Sequence, residues 1–212
     1  MIDLPVYETK LPVLNKKIKF SPLTVKQEKS IGAAKQTGGN SAAFTTFLEI
    51  LKEKINTDIS KLSEPDLIHC ILELRKFSVG EKFKTTFVCP HSKQKVTKEV
   101  DCNLISINGK KRESTFSEMG CTIKVKIPKK QKDLWGAIDF IETAKEKIDF
   151  SDLTESQKEN QFNNLPIKVK NKIQEELNNL FHYEYELNYK SDNNHTIKVR
   201  SAEDFFILLF VM

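Results

Sequence analysis

Arginine is almost missing from this 212-residue chain: of its 34 basic residues only Arg75, Arg112 and Arg200 are arginines. The net charge of +5 would suit a polyanionic partner. Yet the guanidinium fork that grips phosphates and guanine edges bidentately is scarce. The lysines are instead interleaved with carboxylates, as in Glu142-Thr143-Ala144-Lys145-Glu146-Lys147, the pattern of a solvated surface. A basic nucleic-acid-binding module is therefore the weaker reading, resting on Lys110-Lys111-Arg112 and Lys129-Lys130.

Long apolar runs are lacking too. No stretch approaches the roughly 20 apolar residues that cross a bilayer, so no membrane partner is expected. Met1-Ile2-Asp3-Leu4-Pro5 has no basic region leading into an apolar one, so no secretory signal is expected and the protein is read as cytosolic. Cys70, Cys89, Cys102 and Cys121 form no close pair, which argues against disulfides in that setting. Seven glycines leave few positions where backbone could press against a ligand. There is no serine elbow, phosphate loop, dinucleotide fingerprint or two-histidine helix motif. The expectation is no enzyme, no catalytic residues and no cofactor.

The histidines do not change it. His69 sits beside Cys70 in an apolar helix and reads as a packed core residue. Cys89-Pro90-His91, at a turn, is the best metal candidate. Zinc takes about four ligands, commonly a close pair from each of two loops. Here one residue separates Cys89 from His91, and the second hairpin offers only His195 at its turn. No metal site is expected, and no metal requirement for folding.

What is present is a foldable globular chain, 39% hydrophobic and 30% charged. Ile18 and Phe20 share a face of a short strand. Thr24-Val25-Lys26-Gln27 fits a capping box for a helix that ends near Thr37-Gly38-Gly39-Asn40. Phe44, Phe47, Leu48, Leu51 and Ile55 form one helical stripe. Ser63 as N-cap, with Pro65 and Asp66 in the first turn, starts a nearly buried helix carrying Leu67, Ile68, Ile71, Leu72 and Leu74. Phe83, Thr85 and Phe87, then Val96 to Val100, predict a hairpin. Asn108-Gly109 is a turn signal. Cys121, Ile123, Val125 and Ile127 alternate as a strand.

Past Pro128, the spacing of Leu134, Trp135, Ile138 and Ile141 predicts a helix running to about Lys147. A short helix begins near Thr154, and another opens with Pro166 in its first turn. Tyr183 to Tyr189, with Ile197 and Val199, predicts a second hairpin, and Ser201 caps a last segment. The class is α+β: helices packed with two β-hairpins and short strands. The expected division is 1–109 and 110–212, with one continuous domain as the alternative.

One run is more specific: Ile18-Lys19-Phe20-Ser21-Pro22-Leu23-Thr24-Val25-Lys26-Gln27-Glu28-Lys29. Asp58-Ile59-Ser60-Lys61-Leu62, Asp66-Leu67, Leu74-Arg75-Lys76-Phe77-Ser78-Val79-Gly80-Glu81 and Cys89-Pro90 follow it. This series resembles the baseplate hub assembly proteins of T-even-like contractile-tail bacteriophages. The resemblance covers about residues 15–107 and is fainter from Leu165-Pro166 to Asp204-Phe205-Phe206; roughly 110–150 does not match. The chain departs from a pattern of paired cysteines at the hairpin turns, keeping Cys89 without a close partner.

The resemblance implies a structural or assembly protein in the virion tail baseplate, or in infected-cell cytoplasm during assembly. Its partners would be other baseplate or tail-tube proteins, or further copies of itself. Candidate interface residues are Arg75, Lys76, Val79 and Glu81, where a buried helix exits through a glycine. The tail Phe205-Phe206-Ile207-Leu208-Leu209-Phe210-Val211-Met212 adds Phe205, Phe206, Leu209 and Phe210. It carries no charge, and it either fills the protein's own core or docks on a neighbour.

Overall fold

The computed structural model describes residues 4–128 and 134–211. In chain order the elements begin with β1 (Tyr7–Lys10), β2 (Lys17–Phe20), α1 (Val25–Lys54), α2 (Glu64–Ser78), β3 (Lys82–Val88) and β4 (Lys95–Asp101). Next come β5 (Ile107–Asn108), β6 (Glu113–Glu118), β7 (Cys121–Lys126), β8 (Ile138–Glu142) and β9 (Lys147–Asp149). The chain closes with α3 (Glu155–Asn163), α4 (Ile167–Asn179), β10 (His182–Tyr183), β11 (Tyr185–Lys190), β12 (Asn194–Val199) and α5 (Ala202–Phe206). The fold is α+β. Contacts divide it into two units, Met1–Ser106 with Tyr183–Met212, and Ile107–His182. The second hairpin and the tail thus group with the N-terminal residues.

In the first unit, β1 and β2 pair antiparallel, and β2 turns Ile18 and Phe20 inward while Lys17 and Lys19 face out. Thr24 caps α1 through the full capping box: Gln27 N–H donates to Thr24 Oγ1, and Thr24 N–H to Gln27 Oε1. The stop expected near Gly38-Gly39 is real but local. Gly39, at φ 73 and ψ −164, leaves helical geometry, and a second helical segment continues to Lys54. A left-handed φ costs least at glycine, which is why the break falls there. Past it, Ala43, Phe47, Ile50 and Leu51 are buried.

Helix α2 begins at Ser63, whose Oγ accepts from Asp66 N–H, and buries Ile68, Cys70, Ile71, Leu72 and Leu74. Asp66 is fully buried, and its carboxylate accepts from Val13 N–H at 2.8 Å, from Leu14 N–H and from Ser63 Oγ–H. Glu64 accepts from Ala202 N–H at 2.8 Å. The first turn of α2 therefore holds backbone from both ends of the chain. His69 lies in the same network, between Thr9 Oγ1 at 2.8 Å and Tyr183 Oη at 3.1 Å. That partnered position fits the core reading. The β3–β4 hairpin pairs Phe83 with Val100 and Phe87 with Val96, and β11–β12 pairs Leu187 with Ile197.

The second unit is an antiparallel meander, β6-β7-β8-β9, with α3 and α4 contributing to one apolar core. Ile123, Val125, Ile138, Ile141, Phe162 and Ile173 are its centre. Here the sequence reading of a helix from past Pro128 to Lys147 fails. Residues 129–133 lie outside the described residues; then a single 3-10 turn, Leu134–Ala137, leads into strand β8. The misleading signal was the three-residue spacing of Ile138 and Ile141. Val125 pairs with Ile138 but Lys124 pairs with Phe140, so Asp139 is an extra residue in β8. Such a bulge turns two residues three apart to the same side of the sheet, and both isoleucines are buried. Pro166 serves as N-cap of α4, one position before the first turn expected for it.

Asn108-Gly109 bends as expected, with Gly109 at φ 77, but it does more than turn. A Cβ there would lie 2.0 Å from the Leu180 carbonyl oxygen, so only glycine lets the two backbones approach.

Removing a buried carboxylate that serves three donors leaves those donors unsatisfied. Asp66→Ala is expected to lower unfolding stability by about 3 kcal/mol, measured by urea denaturation. A loss of under about 0.5 kcal/mol, the size of a neutral surface change, would contradict the clamp.

Candidate functional site

The residues expected at an interface fall into two groups. Arg75 is buried near the end of α2, where Nε donates to Leu209 O at 2.8 Å and Nη1 to Gly80 O at 3.3 Å. Its guanidinium carbon lies 4.6 Å from the centre of the Phe83 ring. Phe205, Phe206 and Leu209 are buried with it, while Phe210 is half-buried. Phe206 packs on Phe44 and Phe47, and Phe210 on Phe47. Of the two fates considered for the tail, its side chains take the inward one for at least these three residues. Each large side chain so buried contributes about 1.5–3 kcal/mol.

The other group stays at the surface. Val79 is 55% exposed, Glu81 is exposed and accepts from Asn103 Nδ2, and Lys76 pairs with Glu73. Gly80 ends α2 at φ 127, in the region open to glycine. Phe77, 41% exposed, stacks on Tyr7 at 4.1 Å and meets Phe20 edge-on at 5.5 Å. Leu23 N–H donates to Ser78 Oγ at 2.8 Å. The segments Ile18–Lys29 and Leu74–Glu81, 55 residues apart at the Leu23–Ser78 contact, thus lie side by side. These two segments carry much of the resemblance.

A second cluster joins two hairpin turns. Cys89, at the end of β3, is fully buried, and its sulfur contacts Tyr189 Oη at 3.4 Å, Ser191 Oγ at 3.4 Å and Ser92 N–H at 3.5 Å. His195 Nε2 is 2.9 Å from Asp192 Oδ1, and the His195 ring stacks on His91 at 4.7 Å and on Tyr189 at 5.3 Å. Cys89 Sγ, an Asp192 oxygen and a His195 nitrogen all lie within 4.8 Å of one another. Burial works to raise the Cys89 thiol, but hydrogen bonds from Ser191, Ser92 and Tyr189 outweigh it and bring it down to about 5. Tyr189 is pushed up to about 12 by its bond to Cys89 and by burial. Hydrogen bonds from Ser191 and His195 hold the Asp192 carboxyl well below its usual range. Cys89 and His195 stand out in the sequence as candidate ligands, and the fold adds Asp192 to them. No sequence spacing signals that residues a hundred positions apart share one turn-to-turn contact.

A family model described as T4 bacteriophage base plate protein matches residues 4–207, and so takes in both units. The chain belongs to this family and is a bacteriophage baseplate protein. No curated protein and no solved structure matches it.

The Arg75 bond to the Leu209 carbonyl adds a polar tie between the tail and α2. Arg75→Ala is expected to cost about 2–3 kcal/mol, the worth of a buried charge-assisted bond. Amide hydrogen exchange of residues 205–211 should rise more than that of α2. Equal protection in variant and wild type would show that the tail is held without it.

Proposed function

We propose that this chain is a non-catalytic structural or assembly protein of the baseplate hub, acting through protein–protein contacts. The observation that carries the proposal is the convergence of Ile18–Lys29 with Leu74–Glu81, because it turns a linear motif series into one surface. Val25, Phe77 and Val79 on those segments are 67%, 41% and 55% exposed. Exposed apolar side chains grouped with charged neighbours suit a contact that is filled by another subunit. Arg75 and the buried tail brace this surface from within: Nη1 holds the Gly80 carbonyl and Nε the Leu209 carbonyl. In this reading Val79, Glu81 and Lys76 meet the partner, while Phe205, Phe206 and Leu209 keep the helix end rigid. Tail and baseplate proteins, or a second copy of the chain, are the partners that such a face would take.

Electron microscopy of particles made without this protein tests the role. Filled heads without complete baseplates are the expected result. Complete baseplates on empty heads would point instead to genome packaging, and with it to the basic segment Lys110-Lys111-Arg112. A DNA affinity that falls steeply with salt and exceeds non-specific binding would support that second reading.

A further inference from the structure

The cluster at the hairpin turns has no part in the interface just described, and its donor set is unusual for a surface turn. A sulfur, an imidazole nitrogen and a carboxylate oxygen converge from two hairpins, Cys89 at the turn of one, and Asp192 in the turn with His195 at the start of β12 in the other. Each is held. Cys89 sits in a shell of hydroxyl and amide groups, with Ser92 N–H pointing back at its own turn's sulfur. His195 is fixed by stacking on His91 and Tyr189 and leaves Nε2 toward Asp192. Asp192 is half exposed, which gives an ion an entry path.

Three donors bound to one tetrahedral ion at about 2.0–2.3 Å sit roughly 3.3–3.8 Å from one another. The observed separations, all within 4.8 Å, require closure on the order of 1 Å, within reach of side-chain rotation at two turns. A mixed sulfur, nitrogen and oxygen set matches zinc and excludes magnesium or calcium, which take oxygen alone.

We infer that Cys89, Asp192 and His195 form a zinc-class metal site that clasps the β3–β4 turn to the β11–β12 turn, with water in the fourth position. The Asp192–His195 hydrogen bond is replaced by two metal–ligand bonds when the ion enters. The expectation of no metal site followed from the missing partner near Cys89 in sequence; the partners come instead from the other hairpin. The inference rests on this geometry alone and is independent of the baseplate role.

The test uses the full-length protein, stripped with a chelator and titrated with Co2+ and then Zn2+. One equivalent of Co2+ should bind, giving tetrahedral visible bands and a near-ultraviolet sulfur-to-metal charge-transfer band, and Zn2+ should displace it. Cys89→Ser should abolish the charge-transfer band, and His195→Gln should weaken binding by at least about ten-fold. His195→Gln decides the matter where Cys89→Ser does not fold. The inference is overturned by failure to bind a stoichiometric ion, by a spectrum without sulfur ligation, or by unchanged affinity in a folded His195→Gln protein.

Discussion

Everything in the first unit depends on what the buried polar groups of α2 hold. A buried carboxylate is tolerable only when donors surround it, and α2 meets this need with backbone from distant parts of the chain. Asp66 takes the Val13 and Leu14 amides near the N-terminus, and Glu64 takes the Ala202 amide near the C-terminus. At the other end of the same helix, Arg75 takes the Leu209 carbonyl. Three bonds spanning 53, 138 and 134 residues therefore close the chain on one element. The apolar faces of α1, α2 and the tail supply the driving force. The charged bonds fix which backbone segments meet.

That arrangement explains how an uncharged tail and a glycine-terminated helix end act together. Phe205 and Phe206 are fully buried, and the carbonyl of Leu209 binds the arginine that also holds Gly80. The α2 exit is consequently anchored on its inner side, and its outer side presents Phe77 and Val79 next to the Phe20–Lys29 segment. In the proposed role this is a preorganised contact surface, which loses little freedom on docking.

Local signals were legible in the sequence wherever one short stretch determined the outcome. The capping box at Thr24, the helix start near Thr154, the Ser63 and Ser201 caps and the alternation in β3, β7 and β11 all appear close to where the residues imply. The Gly39 break was readable as a stop, and the stripe from Phe44 to Ile55 as the helix that resumes beyond it. Strand β8 was misread because the bulge at Asp139 depends on the partner strand β7, which periodicity in β8 alone does not contain. Burial of the tail was one of two outcomes its uncharged run left open, whereas the Cys89–Asp192–His195 cluster was illegible for the same reason as β8: its members lie on hairpins about a hundred positions apart. Arg75 was singled out by motif, but its role as a tie to Leu209 required the fold.

In the proposed role the surface around Val79 meets another baseplate subunit. A photoreactive amino acid at position 79, introduced into the protein in infected cells, tests it directly. Covalent capture of a second tail or baseplate protein, or of another copy of the chain, is expected in assembling particles. Capture of DNA alone, or no capture from a folded protein that still supports normal tails, would contradict it.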